Sequence, residues 1–195
     1  MRAVLLSGAW CALALGAQLA AVLARPKKPL FAPAAGRAGA GVRYAFTGAM
    51  VPWAKESVRM NPGSYALGMV FHLGVFAAFA SLAWPSRPLA GLSLAGAAAG
   101  LGLLGKRLAM PHLRGLSNTD DFLSNLLVTG FTALAGLASL VPPAQRLLPW
   151  AATALLVYIP LGKIRHCVFF FLSRYHLGAF FGRRGCFPPS GGHHA

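Results

Sequence analysis

Long apolar runs broken by short polar segments organise this chain. Five runs are apolar enough to span a bilayer: residues 3–24, 65–84, 89–105, 122–141 and 147–172. A helix needs ~17–25 predominantly apolar residues to cross the hydrocarbon core. The pattern predicts an all-α integral membrane bundle of five transmembrane helices, with residues 1–195 forming a single membrane domain. The third run is the shortest and is rich in Gly and Ala, which suits close helix packing. The fifth is long enough to tilt or to extend past the membrane, and Pro160 predicts a kink in it. The first run has Arg2, an apolar stretch and a small residue at Ala24, as a signal peptide does. Arg25, Lys27 and Lys28 follow it and suit retention on the inside, so it is read as the first span. The longest polar stretch, residues 25–64, is itself rich in Gly, Pro and Ala, and neither a separate soluble domain nor an internal repeat is visible.

Composition sharpens this picture. Hydrophobic residues make up 56% of the chain and charged residues 11%, against roughly 25% charged in a soluble domain. The net charge is +15, from 18 Lys and Arg against three acids. Such a balance in a soluble protein points to nucleic acid, but here the basic residues cluster between apolar runs, where membrane topology accounts for them. Arg2, Arg87 and Arg146 stand one to an end or loop, and the other 15 fall in the alternate loops, in the tail and, as Lys163 and Arg165, toward the inner end of the fifth run. The positive-inside rule then predicts the N-terminus outside and the C-terminus cytoplasmic, in a bacterial cytoplasmic (inner) membrane. The inner face comprises residues 25–64, residues 106–121 and the tail from about Ser173. It is a basic surface suited to a partner subunit or to anionic membrane lipids.

The candidate chemistry is sparse. Cys11, Cys167 and Cys186 form no C-x-x-C pair, which argues against a disulfide framework, a zinc site or an iron–sulfur site. No phosphate-binding glycine loop, G-x-S-x-G or H-E-x-x-H occurs, and three acids leave little acid–base equipment for a self-contained hydrolase. Of six histidines, His193 and His194 lie in the terminal tail, leaving His72, His112, His166 and His176. His72 lies seven residues into the second run, roughly 10 Å deep at ~1.5 Å per residue. His166 lies six residues before Leu172, roughly 9 Å from that end by the same rise. The second span runs outward and the fifth inward, so both imidazoles reach the same depth near the cytoplasmic side. Two readings stand: packing residues that hydrogen-bond between helices, or a pair that ligates one haem iron from both faces. Gly74 and Gly162 leave room for a flat macrocycle or a neighbouring helix. Lys55, Arg59, Arg107, Lys163 and Arg165 lie near the inner side as candidate partners for haem propionates. Asp120 and Asp121, after Ser117-Asn118-Thr119, read as the capped, acidic start of the fourth span. Proton uptake for quinone chemistry, with His112 nearby, is the sharper reading of the same acids.

Three stretches carry a family resemblance. They are Pro52-Trp53-Ala54-Lys55-Glu56-Ser57 leading into Phe71-His72-Leu73-Gly74; Lys106-Arg107-Leu108 followed by Asn118-Thr119-Asp120-Asp121-Phe122 and Leu126-Leu127-Val128; and Pro160-Leu161-Gly162-Lys163-Ile164-Arg165-His166. Over about residues 50–175 the chain resembles the gamma (cytochrome b) subunit of respiratory nitrate reductase. It is more similar still to the shorter relatives in sulfite-reduction, heterodisulfide-reductase-like and multihaem cytochrome membrane complexes. In the nitrate reductase subunit two b haems stack across the membrane, each held by a histidine pair from the second and fifth helices. The resemblance implies that His72 and His166 are the axial ligands of the cytoplasmic-side haem. The outer pair has no counterpart, since neither 75–84 nor 147–165 contains a histidine. One haem b is therefore expected, unless His112 or a partner subunit supplies a further ligand, and the family's outer quinone site is in doubt.

What the resemblance implies is an electron-transfer subunit of a quinone-linked oxidoreductase rather than a self-contained enzyme. It would pass electrons between a membrane quinone such as menaquinone and a partner iron–sulfur or multihaem cytochrome subunit. Two other classes stay open. One is a haem-free scaffold that only anchors a complex. The other is a small inner-membrane transporter or lipid enzyme, disfavoured by the near absence of intramembrane acids and of repeats.

Overall fold

The computed structural model describes residues 2–26 and 31–189. His193, His194, Lys27 and Lys28 lie outside the described residues. Among the described residues every regular element is helical: α1 (Arg2–Leu23), α2 (Ala38–Phe46), α3 (Glu56–Met60), α4 (Pro62–Ala83), α5 (Arg87–Ala109), α6 (Pro111–Gly115), α7 (Thr119–Leu137), α8 (Pro142–Tyr158) and α9 (His166–Arg183). Short 3₁₀ turns occupy Gly48–Met50, Pro52–Ala54 and Lys163–Arg165. Three helices, α1, α4 and α5, are long and apolar enough to cross a membrane, or four if Pro142–Tyr158 and Lys163–Arg183 count as one span. α7 is not among them, because Asp120, Asp121, Ser124 and Asn125 fall in its first two turns and dilute its hydropathy.

The fifth apolar run differs from its sequence reading. It is not one kinked helix over residues 147–172 but two helices, α8 and α9, separated by a break. Pro160 has no N–H to donate to the preceding turn and its ring crowds that turn's carbonyl. The N–H groups of Leu161 and Gly162 both fold back to the Tyr158 carbonyl, at 2.9 and 3.0 Å.

The chain falls into two compact units. The first comprises Met1–Ala17 and Pro62–Arg165. Its core gathers Cys11, Ala78, Phe131, Ala135, Ala152, Leu155 and Ile159. The Phe79 and Phe131 rings lie 4.8 Å apart, and the Trp10 indole N–H donates to the Val157 carbonyl at 3.2 Å. Small residues set the helix crossings. Gly74 of α4 lies directly against Gly96 of α5, and a Cβ on either would run into the other's backbone. Gly100 takes the same close position against Thr129 and Phe71. Three buried hydroxyls are satisfied within their own helices: Ser93 donates to Leu89 O at 2.8 Å, Thr132 to Val128 O at 2.7 Å and Ser81 to Ala78 O at 2.8 Å. Internal bonding of this kind lets polar residues sit in an apolar bundle without an unpaired donor.

The second unit comprises Gln18–Asn61 and His166–Ala195. Here α2 packs on α9 through glycine. Gly41 faces the backbone of Gly178 and Gly182, so the two helices meet main chain to main chain. Phe46 stacks on Phe171 at 6.5 Å, and Phe187 sits 5.1 Å from both Tyr44 and Phe181. The Arg174 guanidinium donates to Ala49 O at 3.2 Å. Gly185, at φ 73°, ends α9. The Cys186 N–H reaches Phe181 O at 2.9 Å and the Gly185 N–H reaches Gly182 O at 3.2 Å, the paired bonds of a Schellman cap.

Candidate functional site

His72 sits midway along α4, exposed on the surface of the first unit. Its Nδ1 lies 2.7 Å from the Gly68 carbonyl one turn back. A carbonyl only accepts, so Nδ1 carries the proton and donates. The lone pair is thereby left on Nε2, and the ring is held by its own helix. Metal-ligating histidines are oriented in this way, with one nitrogen donating to a backbone carbonyl and the other facing the metal. The imidazole of His72 thus fits an axial ligand. The Phe71 ring meets it edge-on at 6.2 Å.

His166 is the first residue of α9, in the second unit, and is exposed. Its place at a helix start follows from the break at Pro160. The two glycines thought to leave space are used by the protein itself. Gly74 receives Gly96, and the open side of Gly162 is filled by the Tyr158 ring.

The two acids opening α7 form the most elaborate polar cluster. Asp121 completes a capping box: Asn118 Oδ1 accepts from the Asp121 N–H at 3.1 Å, and Asp121 Oδ2 accepts from the Asn118 N–H at 3.0 Å. The same carboxylate accepts from Lys163 Nζ at 2.7 Å and lies 3.5 Å from Arg107 Nη1. Arg107 Nη1 also donates to Ser117 Oγ at 2.8 Å. Asp120 turns the other way. Its Oδ2 accepts from the Lys163 backbone N–H at 2.9 Å, and its Oδ1 accepts from the Tyr158 hydroxyl and, at 3.2 Å, from Ser124 Oγ.

Of the cations suggested for propionates, Lys163 and Arg107 are therefore engaged with Asp121. Arg165 lies in the turn Lys163–Arg165, and Lys55 and Arg59 lie in the second unit. His112 is exposed on α6. Among the described residues no group of three or more His, Cys, Asp or Glu could hold a metal ion. A haem asks less of the chain, because its macrocycle supplies the equatorial ligands and the protein only the axial ones.

The Lys163 side chain, followed by the Asn118 N–H, holds the Asp121 carboxyl below its ordinary value of 3.8. A lowered folded pKa adds stability that is complete above the unfolded value and is lost as pH falls through the folded one. Acidification below about pH 4 should therefore lower the Tm of the purified protein. Asp121→Asn should start from a lower Tm at neutral pH and show a shallower acid fall. Parallel Tm–pH curves for the two proteins would show that this ion pair contributes nothing.

Tyr158 and Ser124 were not among the residues singled out from sequence. The signal for them is indirect: Asp121 at the third helical position takes the cap, which leaves Asp120 to seek donors elsewhere. The chain matches no protein-family model, no curated protein and no solved structure.

Proposed function

We propose that this protein is a haem b-containing membrane anchor of a respiratory redox complex, with His72 and His166 as axial ligands. The reading rests first on the imidazole of His72, whose Nδ1–H is committed to Gly68 O and whose Nε2 is left for a ligand. An imidazole exposed on an apolar helix is costly in lipid unless something covers it, and a haem does so. The resemblance over residues 50–175 supplies the partner, His166. A bound haem would contribute a one-electron carrier, its potential set by ligation, burial and nearby charge. The chain's residues would orient the ligand rings, exclude water and offer cations at the membrane edge. Electrons would then pass between a membrane quinone and a partner iron–sulfur or multihaem cytochrome subunit.

The accompanying topology is five spans with the N-terminus outside, in a bacterial cytoplasmic membrane. α7 serves as the fourth span because its two acids are tied off by Lys163, Arg107, Tyr158 and backbone donors. Such pairing lowers the cost of acids at the membrane edge.

The deciding measurement is a reduced-minus-oxidised spectrum of the full-length protein purified in mild detergent. A b-type spectrum at a haem-to-protein ratio near one is expected. A spectrum without b-type bands sinks the reading, and a ratio near two sinks the single-haem count. For topology, a phosphatase fusion after the C-terminus should be inactive and a cytoplasmically fluorescent fusion there active; the reverse pattern would overturn the orientation.

A further inference from the structure

At one end of the first unit its helices meet around an open cleft of about 230 Å³. The walls come from Val4 of α1, Leu82 of α4, Ala90 of α5, Ala135 of α7 and Leu148 of α8, and they are mostly apolar. An apolar cavity of ~150 Å³ is enough to take up benzene, while pockets for drug-sized ligands begin at ~300 Å³. The cleft therefore has room for one ring or for part of a single acyl chain, and not for a whole lipid. Ser81 in its wall is buried and spends its hydroxyl on Ala78 O at 2.8 Å. The other polar lining residues stand at helix ends: Ser86 caps α5, Ser139 follows α7 and Gln145 lies near the start of α8.

Three arginines belong to this end. Arg2 precedes Val4 by two residues, Arg87 follows Ser86 and Arg146 follows Gln145. All three are exposed, and among the described residues none is in an ion pair. The acids of this unit, Asp120 and Asp121, open α7, whereas the cleft lies at that helix's other end. Asp121 and Ala135 stand roughly 21 Å apart along the helix, and exposed charges are largely screened beyond ~8–10 Å at physiological salt. Trp84 and Trp150 flank the lining residues Pro85 and Pro149 and are 77% and 70% exposed. Exposed indoles of this kind gather at the depth of lipid headgroups.

We propose that this cleft is a binding site for an anionic phospholipid, with a segment of one acyl chain in the cleft and the phosphate among Arg2, Arg87 and Arg146. Apolar walls alone would take the end of any chain from the bilayer. The uncompensated charge at the mouth selects an anion, and the tryptophans set that mouth at headgroup depth. Guanidinium groups suit a phosphate because they donate in parallel pairs. A quinone ring fits the volume but brings no charge for the arginines to meet. Inorganic phosphate brings nothing for the apolar walls. The site lies within the first unit and needs no haem, so it stands or falls apart from the function proposed above.

The test uses the full-length protein in mild detergent, stripped of native lipid, with bound lipid measured by native mass spectrometry. Palmitoyl-oleoyl phosphatidylglycerol should bind about tenfold or more tightly than the matching phosphatidylcholine, since each cation near a headgroup adds to the attraction. The double variant Arg87→Gln/Arg146→Gln should erase that preference. Arg114→Gln, which removes an exposed cation on α6, should keep it. Ala138→Leu, which fills the cleft from the end of α7, should weaken both lipids alike. If it does not fold, Ser139→Leu at the exposed rim takes its place. Equal affinity for the two phospholipids overturns the proposal. So does an equal loss of preference in Arg114→Gln, which would make the attraction a property of the whole basic chain. Undiminished binding in both leucine variants would show that no acyl chain sits in the cleft. Palmitate binding as tightly as phosphatidylglycerol would overturn the phospholipid assignment in favour of a free fatty acid, and displacement of the phospholipid by equimolar decyl-quinone would overturn it in favour of the quinone.

Discussion

His72→Ala and His166→Ala should each abolish the b-type spectrum of the purified protein. The expected drop in haem content is about tenfold or more, since even residues that merely orient a metal ligand cost 10–100-fold in affinity when changed. The controls are His112→Ala and His176→Ala. Both histidines are exposed on helices, and neither is assigned as a ligand. Full haem content in these two variants, with loss in the first two, assigns the pair. Loss in His112→Ala would instead bring in the further ligand left open when the outer histidine pair was found missing. Retention in both His72→Ala and His166→Ala would refute the ligand assignment and leave the histidines as packing residues. His72 is the more exacting of the two tests. Its Nδ1 is satisfied by a backbone carbonyl in the same helix, so the ring is oriented whether or not a haem is bound. His72→Ala therefore removes an imidazole held by its own helix, so a spectral loss there would point to the ligand assignment rather than to another element set loose.

The helices were largely legible in the sequence because apolar run length is a coarse, additive property. Residues 3–24 and 65–84 reappear within a few positions as α1 and α4. The ends were harder. α5 runs to Ala109, past the apolar limit at 105, because Lys106 and Arg107 suit the last turn of a helix, where the dipole favours cations. The fate of the fifth run was half legible. Pro160 announces a disturbance, but whether a helix bends or breaks depends on whether the freed N–H groups find other acceptors. One acceptor here is Asp120, about 40 positions earlier, and no local pattern links the two. The acids were read as following the cap residues at a helix start; Asn118 is that cap, and of the two acids only Asp121 joins it in the capping box. The glycines were read as room for a flat macrocycle or a neighbouring helix; at Gly74 the neighbour is Gly96 of α5, and at Gly162 the Tyr158 ring takes the room. Sequence spacing shows where a side chain is missing and does not choose between the occupants that would fit the gap.

The Gly74–Gly96 crossing should accordingly be the point at which the first unit tolerates least. The two glycines meet backbone to backbone, so the first methyl group added at either has no flexible side chain to push aside. Gly74→Ala and Gly96→Ala must separate α4 from α5 along their contact, opening gaps beside Gly100, where Thr129 and Phe71 close in. Overpacking of this kind typically costs about 1–3 kcal/mol, and Gly74→Leu should exceed that range and prevent recovery of folded protein. Gly91 lies on the same α5 helix as Gly96 and has nothing within 4 Å of where its Cβ would be. Gly91→Ala should be neutral or stabilising by about 0.5–1 kcal/mol, because alanine loses less backbone freedom on entering a helix. Thermal unfolding in detergent reads the contrast directly, at ~2–4 °C per kcal/mol for a chain of this size. Equal Tm values for Gly96→Ala and Gly91→Ala would mean that α4 and α5 do not cross at Gly74. A fall in Gly96→Ala alone fixes the crossing, and with it the face of α4 on which His72 stands away from α5.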